Sequence, residues 1–176
     1  MNVSPSQLAD ACFTDQVLAH LRATQTCPAD LCLEITETAL VMDNEEFTRR
    51  LELLADRGVQ IALDDFGTGY STVAQVANLP INLIKIDQSF VARADPGNRH
   101  AAVLAALLNM AESLAMSVVA EGIETADQAR LLQALGCPEG QGYYFARPLE
   151  LPALLALPTD QPLTAEPLLG AGTGQP

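Results

Sequence analysis

Val59-Gln60-Ile61-Ala62-Leu63-Asp64-Asp65 is a short apolar run that closes on two carboxylates, and its reading decides the fold. The same plan recurs in Leu31-Cys32-Leu33-Glu34, in Ile81-Asn82-Leu83-Ile84-Lys85-Ile86-Asp87 and in Ser117-Val118-Val119-Ala120-Glu121. Each run is followed by a helix-like stretch, so strands alternate with helices at the spacing of βα units, about 30 residues. Alternation of this kind builds a parallel sheet with right-handed crossovers. The carboxyl ends of parallel strands share one face, so Glu34, Asp64, Asp65 and Glu121 are expected to converge although they lie far apart in the chain. Five strands and a short remnant at Met1-Asn2-Val3 can be read in the 176 residues, whereas a complete (β/α) barrel takes about 250 residues. The fold class is therefore α/β, most of a barrel without its beginning.

The helices follow from their periodicity and their ends. Leu8, Cys12, Val17, Leu18 and Leu21 predict one helix from Ser6 to about Thr24, entered through Ser4-Pro5-Ser6. Asp43 opens a helix with Phe47, Leu51 and Leu54 on one face, and Arg57-Gly58 closes it. The segment Asp64 to Ser71 reads as a loop. A short helix from Thr72 to Asn78 ends before Pro80, and Ala101 to Ala115 forms a long helix. Another helix starts at Thr125 or Asp127 and ends at Leu135-Gly136, a short strand leads to Gln141-Gly142-Tyr143, and Leu149 to Leu157 forms a last helix. Residues 1–157 are thus read as the domain, and 158–176, rich in Pro, Gly and Thr, as a disordered tail.

Composition narrows the function. A net charge of -13 leaves no basic stripe to release counterions from phosphates, which argues against a nucleic-acid polymer or an anionic membrane as partner. An anionic small molecule would need bound cations to approach. No apolar run reaches the roughly 18 residues that span a bilayer, and the N-terminus has no signal-peptide pattern, so the cytoplasm is the expected location. Cys12, Cys27, Cys32 and Cys137 form no Cys-x-x-Cys pair and read as reduced core thiols. His20 and His100 have no partner at ligand spacing and read as surface or packing residues.

Crowded carboxylates raise one another's pKa unless a cation neutralises them, and hard oxygen donors such as Glu34, Asp64, Asp65 and Glu121 suit Mg²⁺ or Mn²⁺ rather than zinc. Lys85 is the only lysine in the chain and sits inside an apolar run. Strand alternation places it on the same side as Asp87. A buried ammonium near carboxylates pairs with them or meets a phosphate or a water. Gly67 and Gly69 give the segment after Asp65 freedom for close backbone approach. Gln141-Gly142-Tyr143-Tyr144 could supply an amide and an aromatic wall to a ligand, or simply pack the last strand.

Taken in order and spacing, Glu34-Ile35-Thr36-Glu37, Asp64-Asp65-Phe66-Gly67-Thr68-Gly69-Tyr70-Ser71, Lys85-Ile86-Asp87, Ala120-Glu121-Gly122-Ile123-Glu124 and Gln141-Gly142-Tyr143 resemble the bacterial EAL-domain cyclic di-GMP phosphodiesterases. The resemblance implies a TIM-like (β/α) barrel, incomplete and lacking its first two strands, because the Glu-Ala-Leu motif would precede Met1. It implies metal-dependent hydrolysis of cyclic di-GMP to linear pGpG in second-messenger signalling, with a two-metal site for Mg²⁺ or Mn²⁺. Asn2, Glu34 and Asp64 would hold the first cation, and Asp64 with Asp65 the second. Lys85 would orient the attacking water or a phosphate oxygen, and Glu121 would act as general base or as a water-bound partner of the metal. Glu37 would anchor the loop Phe66, Gly67, Thr68, Gly69, Tyr70 and Ser71, through which a homodimer would form, while Asp87, Glu124 and Gln141 would support the site. A second reading is an inactive EAL-type module that binds ligand or docks to a partner. A third is a fragment of a longer signalling protein.

Overall fold

The computed structural model describes residues 1–42, 45–67, 69 and 72–156. Its centre is a six-stranded, wholly parallel sheet in sequential order: β1 (Asn2–Val3), β2 (Cys32–Thr36), β3 (Gln60–Phe66), β4 (Leu83–Ile86), β5 (Ser117–Ala120) and β6 (Glu139–Gly140). The strands are wrapped by α1 (Pro5–Ala9), α2 (Phe13–Thr24), α3 (Glu45–Ala55), α4 (Val73–Ala77), α5 (Gln88–Ala92), α6 (Arg99–Ser113), α7 (Ala126–Ala134) and α8 (Leu151–Leu155). Among the described residues the sheet stays open, since β1 pairs only with β2 and β6 only with β5. These are six of the eight strands in a closed (β/α) barrel, so the incomplete barrel read from the sequence is the fold observed.

Alternation along the strands separates the two faces. Leu33 and Ile35 of β2, Ile84 and Ile86 of β4, and Val118 and Ala120 of β5 are buried against the helices. There they meet Leu51 and Leu54 of α3, Leu104 and Leu108 of α6 and Leu132 of α7 in one core. The alternate residues Glu34, Thr36, Lys85 and Val119 point to the opposite face and are only half-buried. That inner face carries the charges.

Several elements differ from their sequence reading. The helix predicted from Ser6 to Thr24 is two helices, because Asp10 accepts the Cys12 amide through Oδ1 at 2.9 Å and stops α1. A 3₁₀ turn at Glu37–Met42 and the short α5 were not foreseen. The stretch from Asp64 does not leave the sheet at once: β3 continues to Phe66, which is buried in the core. Thr72, Asn98 and Thr125 cap α4, α6 and α7 through their side chains. Cys12 and Cys27 are exposed rather than core residues, although all four cysteines are free thiols. His20 and His100 lie at the surface. Asp43, Thr68, Tyr70, Ser71 and the tail 158–176 lie outside the described residues.

Candidate functional site

Register brings the inner-face residues together at the carboxyl ends of the strands. Asn2 pairs with Glu34, Thr36 with Asp64, and Lys85 with Val119, two residues before Glu121. In consequence Lys85 Nζ lies 2.6 Å from Glu121 Oε1 and 3.2 Å from both Glu34 Oε2 and Asp64 Oδ1. Burial alone would pull the Lys85 pKa down, but the Glu121 hydrogen bond and the charges of Glu121, Glu34 and Asp64 outweigh it, so the ammonium holds its proton more tightly than a free lysine. Gln141 donates through Nε2 to Glu121 Oε1 at 2.7 Å, so Lys85 and Gln141 hold the same oxygen.

The adjacent aspartates are separated by a β-bulge. Leu63 pairs with Ile84 and Phe66 with Ile86, leaving Asp64 and Asp65 opposite the single residue Lys85. Asp65 adopts φ +56, a left-handed conformation that few non-glycine residues take up. Without the bulge, strand alternation would send Asp64 and Asp65 to opposite faces. With it, Asp64 faces Lys85 and Asp65 lines a neighbouring cavity. Partial burial, followed by the charges of Asp64 and Asp87, raises the Asp65 pKa above its ordinary value.

Glu37 fixes the backbone beyond the bulge. Its carboxylate is buried, with 4% of the residue exposed, and Oε2 accepts the amides of Gly67 at 3.2 Å and Gly69 at 2.8 Å. A Cβ on Gly69 would stand 3.0 Å from that carboxyl group, so a side chain there would push on the carboxylate that holds the loop amides. Gly67 rests on the Phe90 ring, and a Cβ there would come within 2.7 Å of it. Asp87 does not pair with Lys85. Its Oδ1 accepts the Ser89 amide and caps α5, an arrangement that sets the position of Phe90 and Gln88.

The cavity, about 690 Å³, is lined by Asp65, Asp87, Glu121, Glu124, Gln141 and Arg147, among others. Arg147 stacks over the Tyr143 ring at 4.7 Å. Sequence reasoning missed Gln88, Phe90 and Arg147. The signal for the first two was Asp87 standing as an N-cap before an apolar turn, whereas nothing local marks Arg147. Asn2 is exposed in its two-residue strand, and Glu124 is exposed at the cavity wall.

Among the described residues, no three His, Cys, Asp or Glu side chains stand in an arrangement that would hold an ion unaided. The carboxylates are gathered on Lys85 instead. Their donor atoms are all oxygens, and Asp64 Oδ1 is buried with no hydrogen bond although it lies 3.2 Å from Lys85 Nζ. An acceptor left in that state, among hard donors, fits a divalent cation chemically.

A parallel sheet wrapped by helices, with its ionised side chains collected at the carboxyl ends of the strands, defines the (β/α)-barrel class of domain. The EAL domain model matches residues 1–148, and the chain belongs to the EAL-domain family. It is 38% identical over 154 residues to the cyclic di-GMP phosphodiesterase NbdA of Pseudomonas aeruginosa, covering 88% of this chain and 20% of that protein. Among solved structures it resembles the PaMucR phosphodiesterase in complex with c-di-GMP, with a TM-score of 0.82, 36% identity, and coverage of 87% of this chain and 68% of that one. It also resembles Klebsiella pneumoniae BlrP1 in a manganese and cy-diGMP complex, with a TM-score of 0.78, 30% identity, and coverage of 84% and 38%. The chain spans only 17% to 38% of the length of curated relatives that it matches. No helix among the described residues is long and apolar enough to cross a membrane.

Proposed function

We propose that this domain hydrolyses one phosphodiester bond of cyclic di-GMP to give linear pGpG, using Mg²⁺ or Mn²⁺. The observation that carries this reading is the meeting of Glu34, Asp64 and Glu121 on Lys85, beside a cavity whose wall includes Gln141 and Arg147. Family membership and the named activity of relatives support it. Asn2, Glu34 and Asp64 would hold one cation, and Asp64 with Asp65 a second. Bound there, divalent cations lower the pKa of water and offset charge on the phosphate, which a chain of net charge -13 could not otherwise attract. Glu121 takes a proton from the attacking water, and Gln141 keeps its carboxylate oriented. Lys85 steers the water or a phosphate oxygen. The water oxygen bonds to phosphorus, the bond to the leaving ribose oxygen breaks, that oxygen takes up a proton from solvent water, and Glu121 releases its proton to solvent.

In this reading residues 1–157 are the domain, Glu37 anchors the segment from Phe66 to Ser71, Asp87 and Glu124 support the site, a homodimer forms through the loop after Asp65, and the protein works in the cytoplasm. The test is turnover of cyclic di-GMP by the purified chain with Mg²⁺ or Mn²⁺, with Glu121→Gln as control. Production of pGpG that vanishes in the variant supports hydrolysis. A second reading, binding without turnover, draws on Asn2, a proposed cation holder that is exposed at the free edge of the sheet. Saturable cyclic di-GMP binding with no pGpG would favour it.

A further inference from the structure

Lys85 occupies an unusual position for the chain's only lysine. Three carboxylates from β2, β3 and the end of β5 lie within 3.2 Å of its ammonium. An ammonium is a compact point charge with three protons and no acceptor. Here it donates to Glu34 Oε2, contacts Glu121 Oε1 at 2.6 Å, and leaves Asp64 Oδ1 without a hydrogen bond. The acidic groups are thus arranged around this ammonium, and no three of them among the described residues are arranged to hold an ion.

We infer that Lys85 is the resident counter-ion of the metal-free centre, holding Glu34, Asp64 and Glu121 together until a divalent cation competes for the same oxygens. The inference rests on the cation-dependent reading above and adds a positioning role to it. Without the ammonium, three like charges would share a half-buried space and repel one another. A small divalent cation takes oxygens at about 2.0–2.1 Å, closer than the 3.2 Å separating Lys85 from Glu34 and Asp64. Bound to these oxygens, it competes with the ammonium for their negative charge. Asp64 Oδ1 is the natural point of entry, because it surrenders no hydrogen bond. Glu34 must give one up. Lys85 therefore keeps the ligands near one another and, by the same contacts, weakens cation binding.

The test is calorimetric titration of Mn²⁺ into the metal-stripped chain and its Lys85→Met variant. The variant is expected to melt at a lower temperature in EDTA, to bind Mn²⁺ at least tenfold more tightly than the parent, and to recover its melting temperature as Mn²⁺ is added. A folded variant that binds Mn²⁺ equally or more weakly, while the parent binds normally, overturns this inference alone. If neither chain binds Mn²⁺, the cation-dependent reading falls and the inference with it. A purely structural lysine would lower the melting temperature in EDTA without tightening Mn²⁺ binding. Should Lys85→Met fail to fold, the unmodified chain answers: labelled with ¹⁵N-lysine it gives a single side-chain ammonium signal, expected to exchange its protons slowly in EDTA and rapidly in saturating Mg²⁺. An ammonium signal unmoved by saturating Mg²⁺ overturns the inference.

Discussion

Replacing Glu37 by alanine removes the acceptor that ties the end of β2 to the segment beyond the bulge. Two backbone amides, Gly67 and Gly69, donate to one oxygen of this carboxylate at 3.2 and 2.8 Å. Hydrogen bonds to a charged group contribute about 1.5–3 kcal/mol each, and burial leaves water little access to replace them. The expected cost of Glu37→Ala is about 3–6 kcal/mol, or a fall in melting temperature of about 6–24 °C for a chain of this size. Glu37→Gln keeps an acceptor oxygen but loses the charge, so it should cost about 1–2 kcal/mol. Urea unfolding followed by circular dichroism measures both variants, and amide exchange at Gly67 and Gly69 localises the loss. The two amides should exchange fastest in Glu37→Ala. Stability within about 0.5 kcal/mol of the parent in Glu37→Ala, or an equal loss in both variants, would refute this account of the anchor.

Gly122→Ala places a Cβ 2.3 Å from the Gln88 Cβ at a backbone φ of +67, whereas Gly97→Ala at φ +81 meets nothing within 4 Å. Denaturation should give about 1–2 kcal/mol for Gly97→Ala, the left-handed cost alone, and a larger loss for Gly122→Ala. Asp65 binds its proton more tightly in the folded chain than at its ordinary value of 3.8. As pH rises through 3.8 and then through the raised folded value, the unfolded chain releases its proton first and stability is lost. Asp65→Asn should accordingly stabilise the metal-free chain at neutral pH, with a gain that shrinks on acidification below that window; a gain constant across pH would assign it to backbone strain at φ +56 alone. Burial raises the thiol pKa of Cys32 and Cys137, while Cys12 and Cys27 are exposed. A thiol reagent at neutral pH should thus label Cys12 and Cys27 first, as read by peptide mass mapping.

The sheet was legible because its signal is local. Leu33, Ile35, Ile61, Leu63, Ile84 and Ile86 lie in short apolar runs, and all six are buried. The helix faces of Phe47, Leu51 and Leu54, and the capping residues Thr72 and Thr125, were equally readable from spacing. Other features were hidden for identifiable reasons. Aspartate is depleted in strands, so Asp64-Asp65 reads as a loop, yet pairing of Asp64 with Thr36 and of Phe66 with Ile86 carries β3 past it. Those partners are remote in sequence. Alternation put Lys85 on the side of Asp87, but Asp87 turns to cap α5, and the carboxylates that reach Lys85 come from other strands. The break between α1 and α2 had a local signal in Asp10, overridden by the apolar period running through it.

The departures from local preference are concentrated at one end of the sheet. A left-handed aspartate, a bulge, a buried glutamate and a lysine inside an apolar strand each oppose the conformation or burial that their residue type favours. The neighbours of each are ordinary core residues: Leu63 and Phe66 flank the bulge and are buried, as are Ile84 and Ile86 on either side of Lys85. The strained geometry is held by packing on the opposite face of the same strands. Truncating that packing should consequently loosen the site before it unfolds the chain. Ile86→Ala, a truncation within the buried core, is expected to cost about 2–5 kcal/mol and to relax the alignment of Phe66 with β4 that keeps Asp64 and Asp65 opposite Lys85.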